Sequence, residues 1–262
     1  MVDFVYLDNH TACKPFAEVM EKWKRFSDDY WASASSLHFL GQQQIHPIQK
    51  SLDSLFLELG LGPQDELVLT KEGLSSVLLA VYLQVSRETG KTLFLTAQGQ
   101  EGGNLKAFDL IEQLGCQKKL LPFNEQGQLT RDTLSSFLTA KTALVSLPWA
   151  NGLTGVIHPV LDLLEACSEK KVLVHLDATY MLGKQFFRFQ DLPVDFLTLR
   201  GAALYAPKGA EIILVKKGSI SCPFSIESTA LLGAYSSAVQ AVQGHFEVFC
   251  MEIARLKDRL EQ

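Results

Sequence analysis

The chain has 262 residues, 47% of them hydrophobic and 20% charged, which suits one large globular domain or two small ones with a sizeable core. Its net charge of −5 supplies no basic face of the kind nucleic acid requires, and no apolar run approaches the length of a membrane span. The five cysteines (Cys13, Cys116, Cys167, Cys222 and Cys250) have neither metal-finger nor disulfide-framework spacing. The opening "MVDFVYLDNH" is no signal peptide, so a cytoplasmic protein without a bound metal is expected.

In chain order, the first clear element is "ELVLT", Glu66 to Thr70, a short β-rich run. "GLSSVLLAVYLQVSRETG" follows at helical length, with Gly90 as its stop. "TLFLT" (Thr92–Thr96) is the next strand and "NLKAFDLIEQLG" the next helix, stopped by Gly115. "KKLLPF", "RDTLSSFL" and "TALVSL" (Thr142–Leu147) repeat strand, helix, strand. "HPVLDLLEACSEK" reads as a helix with Pro159 in its first turn. "VLVHL" (Val172–Leu176), "VDFLTL" and "EIILVKK" (Glu211–Lys217) are further strands. Strands apolar at consecutive positions and separated by helices predict a mostly parallel sheet covered on both faces, a three-layer α/β/α sandwich of six or seven strands.

The end of the chain differs. Val239, Val242, Phe246, Phe249, Ile253, Leu256 and Leu260 step by three and four, which predicts one long amphipathic helix over residues 236–262, set apart from a body spanning 1–235. Its stripe either packs on the chain's own sheet layer or needs a partner.

Five segments, in order, carry a resemblance: "VYLDNHTACKP", "WASASSLHFLGQQ", "LVSLPWANGLTGVIHPV", "VLVHLDATYMLGK" and "VDFLTLRGAALYAPKGAEIILVKKG". Over Phe4 to Gly218 they are similar to class V aminotransferases, and most closely to cysteine desulfurases. The resemblance implies the large-domain fold of type I pyridoxal-phosphate enzymes, in agreement with the predicted sandwich. It also implies a catalytic lysine that forms the internal Schiff base. That position is Ala203 here; the histidine before it is Ala202, and the phosphate-holding serine is Arg200.

The resemblance places further cofactor contacts on this chain. The phosphate turn is "KEGLSS", Lys71 to Ser76, with Leu74 at the hydroxyl position and Glu72 at a small-residue position. Gly73, Ser75 and Ser76 at a helix N-terminus still form a candidate anion site, but a carboxylate at Glu72 repels phosphate. The ring-stacking histidine corresponds to Glu101, the asparagine to Gly152 with Asn151 beside it, and the glutamine after the aspartate to Tyr180. Asp177 stands where the family aspartate pairs with the pyridine nitrogen; it equally suits a turn cap. His158 and His175 are expected as packing or turn residues. Thr229 is a candidate remnant of a threonine that serves a partner subunit's phosphate site. A small C-terminal domain, with its substrate arginine and sulfur-accepting cysteine loop, has no counterpart in the sequence; Cys222 and Cys250 lack that loop's context.

The expected function is therefore a degenerate, non-catalytic binding or assembly protein without a cofactor, with a decaying remnant as a third possibility. The alternative is pyridoxal-phosphate-dependent desulfurase or aminotransferase activity completed by another chain, with Lys208 as the nearest substitute amine. The expected partner is a second copy joined through the large domain, or a protein carrying the missing small domain.

Overall fold

The computed structural model describes residues 5–70, 73–100, 102–220 and 228–261. Its strands are β1 (Glu66–Thr70), β2 (Leu93–Ala97), β3 (Gln117–Leu121), β4 (Thr142–Pro148), β5 (Leu173–Asp177), β6 (Phe196–Arg200) and β7 (Glu211–Val215). They form one seven-stranded sheet in the order β1-β7-β6-β5-β4-β2-β3. Only β7 runs against its neighbours; the other pairings are parallel.

The helices are α1 (Ala17–Asp29), α2 (Phe39–Gln42), α3 (Ile45–Leu59), α4 (Leu74–Thr89), α5 (Gly102–Gln113), α6 (Arg131–Phe137), α7 (Val160–Glu169), α8 (Thr229–Gly244) and α9 (Phe246–Glu261). Strand side chains alternate faces, so each strand feeds two cores. Leu197, Leu199, Ile212 and Leu214 join the core beneath α1, α3, α6, α7 and α8. Phe196, Ile213 and Val215 join the core beneath α4 and α5. This is the expected three-layer sandwich. Leu55 and Leu59 of α3 and Leu78 of α4 are wholly buried, each contributing roughly 1.5–3 kcal/mol of hydrophobic stabilisation.

The predicted stop at Gly90 is present as a left-handed cap on α4, with φ 67°. The expectation of one long C-terminal helix is corrected. The run divides at His245 into α8 and α9, and the expected boundary after residue 235 falls inside α8. The apolar stripe divides with it. Val239 and Val242 are buried against the sheet layer, whereas no residue of α9 is buried. Among the described residues, no helix is long and apolar enough to cross a membrane.

Candidate functional site

The face of the sheet beneath α4 carries polar side chains where a core would ordinarily be apolar. Period-two alternation brings Ser146 of β4, His175 of β5 and Thr198 of β6 to that face, with Ser146 and His175 in register. His175 is wholly buried. Its Nδ1 lies 2.8 Å from Ser146 Oγ and 3.1 Å from the Tyr82 hydroxyl of α4, and its Nε2 lies 3.0 Å from Thr198 Oγ1. Burial pushes its pKa down to about 3, so the ring is neutral at physiological pH. The Gln100 carboxamide extends the row by donating to Ser146 Oγ at 2.9 Å.

One step further toward the carboxyl ends of β5 and β6 lies a charged layer. Asp177 is 4% exposed at the end of β5. It accepts hydrogen bonds from Asn104 Nδ2 of α5 at 2.8 Å and from the Thr179 backbone N–H at 3.0 Å. Arg200 ends β6 and is the cross-strand neighbour of Glu211, which opens β7. The Arg200 guanidinium donates to the Tyr180 hydroxyl at 3.0 Å. Glu211 is also in register with Thr70, the last residue of β1, directly before the connection to α4. Its carboxylate lies close to the Leu74 backbone N–H at the start of α4. Burial raises the Glu211 pKa, against the opposing pull of that N–H and of Arg200.

Ala203 is 6% exposed and lies in a tight turn, Gly201–Leu204, that follows β6. Gly201 is needed there, because a Cβ at that position would stand 2.3 Å from the Ala210 carbonyl oxygen. The segment before α1 lies across the turn: the Cys13 N–H donates to the Ala202 carbonyl at 2.7 Å, and its thiol to the Ala203 carbonyl at 3.6 Å. The turn's exit is held by the Phe16 ring, stacked on Tyr205 at 4.2 Å. Ala203 and Lys184 line one cavity of about 220 Å³, together with Tyr205 and Phe249. Lys208 is exposed beyond the turn.

The structure brings Asp177, Tyr180 and Arg200 together at the ends of neighbouring strands and places Gly73 at the start of α4, as the N-cap. Ser75 lies in the first turn of α4 and is half-buried. Asn151 is committed to backbone: its carboxamide donates to the Gly99 carbonyl after β2 at 2.9 Å and accepts the Leu153 and Thr154 N–H groups of its own loop. Thr229 is turned inward, donating to Gln44 of the same chain at 2.9 Å, so it does not face outward as a remnant partner contact would. His158 accepts the Leu129 N–H and packs on Phe123, in keeping with a packing role. Lys71, Glu72, Glu101 and Cys222 lie outside the described residues. Sequence reasoning missed Asn104 and Glu211. The available signal for Glu211 was a carboxylate at the head of an otherwise apolar buried strand.

The model of the family "Aminotransferase class-V" matches residues 5–239. Among curated relatives, a cysteine desulfurase of Trichormus azollae is 28% identical over 270 residues, covering 98% of this chain and 67% of its own length. The cysteine desulfurase NifS of Azotobacter vinelandii is 25% identical, with the same coverage. Among solved structures, a NifS-like protein superposes with a TM-score of 0.89 at 22% identity, covering 98% of this chain and 74% of its own. SspA in complex with cysteine superposes at 0.80 with 21% identity, over 90% of this chain and 72% of its own. The chain thus spans about two thirds of the length of the curated relatives it matches.

Proposed function

Starting from the fact that the chain belongs to the class V aminotransferase family, we propose that it is a non-catalytic member that has kept the desulfurase-like large domain for binding or assembly. The observation that carries this reading is Ala203. The family's covalent chemistry needs a primary amine at that position, and a methyl group cannot form a Schiff base.

Three features of the same cleft fit pyridoxal phosphate poorly. The chain's own Glu211 carboxylate lies close to the first N–H group of α4, where a phosphate would seek donors and meets like charge instead. Arg200 is tied to Tyr180 rather than being a hydroxyl-bearing residue. The Tyr180 ring lies against Gly152 so closely that a Cβ there would stand 2.4 Å from Tyr180 Cζ. A side chain at 152 would require the Tyr180 ring to move from its present place. Asp177 alone retains a disposition suited to a protonated pyridine nitrogen. Asp177 and the family membership together favour the second reading, an activity completed by another chain.

The test is a visible spectrum of the purified protein with added pyridoxal phosphate, followed by borohydride reduction and peptide mapping. No aldimine band and no adduct are expected. A reduced adduct on a single lysine such as Lys208 or Lys184 would establish the second reading instead. We further propose a cytoplasmic location and a homodimer through the large domain. The latter is supported by the exposed apolar side chains Trp31 and Leu37 between α1 and α2, Phe39 at the start of α2, and Val248, Met251 and Leu260 on α9.

A further inference from the structure

On the opposite face of the sheet from Asp177, α1 and α3 both pack on α8 and enclose a cavity of about 320 Å³. That volume falls within the range of small-molecule sites. Helical periodicity builds its walls. Lys22, Arg25 and Phe26 share one face of α1, at spacings of three and four residues. Lys50 and Ser54 share one face of α3, and Ser236 and Gln240 one face of α8. The floor depends on Gly233, since a Cβ there would stand 2.5 Å from Phe26 Cδ2; the bare backbone lets the Phe26 ring settle on α8.

The electrostatics of this cavity are unusual for a chain of net charge −5. Lys22, Arg25 and Lys50 converge on it from two helices, and none forms an ion pair among the described residues. Asp29 is the one carboxylate among the described residues lining it. Lys22 is half-buried; burial lowers its pKa first, with Lys50 and Arg25 adding repulsion. The wall also holds an orphan: the Ser54 hydroxyl oxygen is shut off from solvent and has no hydrogen-bond partner. Arg25 and Lys50 are exposed and Lys22 is half-buried, so the cost of their mutual repulsion falls chiefly on Lys22, and an anion in the cavity relieves it.

We infer that this cavity binds a small phosphate-type dianion, held by Lys22, Arg25 and Lys50. Three converging cations suit a dianion better than a monoanion, because the Coulomb attraction scales with the product of the charges. The Phe26 and Tyr30 rings, edge to face at 5.1 Å, form an apolar wall beside it. That wall suits an aromatic body on the phosphate. The inference is independent of the cofactor cleft, which lies across the sheet.

The test titrates the full-length chain with inorganic phosphate, phenyl phosphate and acetate at constant ionic strength, followed by calorimetry and by the thermal midpoint. Saturable binding of phosphate, tighter binding of phenyl phosphate and none of acetate are expected. In the double variant Lys22→Gln/Lys50→Gln, phosphate affinity should fall about tenfold or more, the equivalent of about 1.4 kcal/mol. Lys50→Gln alone, at an exposed position, serves if the double variant does not fold, and should weaken binding several-fold. Unsaturable binding, acetate binding equal to phosphate, or unchanged affinity in the folded variants would overturn the inference.

Discussion

In the proposed reading Ala203 carries a methyl where the family's covalent anchor would be, and restoring that anchor alone should not restore chemistry. Ala203→Lys would enter a cleft in which the Glu211 carboxylate stands beside the Leu74 N–H and Tyr180 covers Gly152. Catalytic groups act as a set and their contributions are strongly non-additive. The expected outcome is no sulfide released from cysteine by the variant; measurable release would show that the surrounding contacts still suffice. A second residue prediction concerns the turn itself. Gly201→Val should destabilise the fold by about 1–3 kcal/mol, read as a lower urea midpoint, because its Cβ would collide with the Ala210 carbonyl oxygen. Asp177 was legible in sequence through its resemblance to the family aspartate and, equally, as a cap on the turn after a strand. Its partner Asn104 was not, because it arrives from α5 on the neighbouring layer, and no sequence pattern records that approach.

Among the elements, α8 and α9 show how one hydrophobic stripe can serve two environments. α8 is pressed between α1, α3 and the sheet, whereas α9 is attached chiefly through Phe249, whose ring stacks with Phe16 at 6.4 Å and Tyr205 at 6.0 Å. Phe249→Ala should therefore cost only about 1 kcal/mol in global stability while loosening α9, detectable as faster amide exchange confined to residues 246–261. The outward side chains of α9 bear on assembly. Light scattering should find the wild type dimeric and both Phe246→Glu and Ile253→Glu shifted toward monomer. A wild type that is a stable monomer, matched by both variants, would remove α9 from any interface. The stripe's period was legible in sequence. The break at His245 was not, because Gly244 and His245 interrupt no apolar position.

For the molecule as a whole, the buried row around His175 makes stability depend on pH. Its pKa is about 3 when folded, below the ordinary histidine value near 6.5, so between these values the unfolded chain binds the extra proton. His175 thus contributes nothing adverse above pH 6.5 and destabilises progressively as the pH falls. At pH 5 the loss is about 2 kcal/mol relative to pH 7.5. Glu211 and Asp195, whose pKa values burial raises, act in the opposite sense at lower pH, so the comparison must be differential. Denaturant unfolding of the wild type and His175→Asn at both pH values should show a smaller pH dependence in the variant. Equal dependence in the two would mean that His175 is not the titrating group.

By itself the sequence determined the alternation of strands and helices, hence the layered sandwich, because apolar periodicity reports which faces must leave water. It also carried the resemblance on which the proposed place of Ala203 rests, since motif residues are local. Only the tertiary structure decided that β7 runs antiparallel between β1 and β6, and so sets Glu211 beside Thr70 and Arg200, near the start of α4. It likewise decided that Lys22, Arg25 and Lys50 meet around one cavity. Such meetings depend on strand order and helix packing, which join residues far apart in the chain. Local propensity cannot specify those choices, because they follow from the burial of the whole core at once.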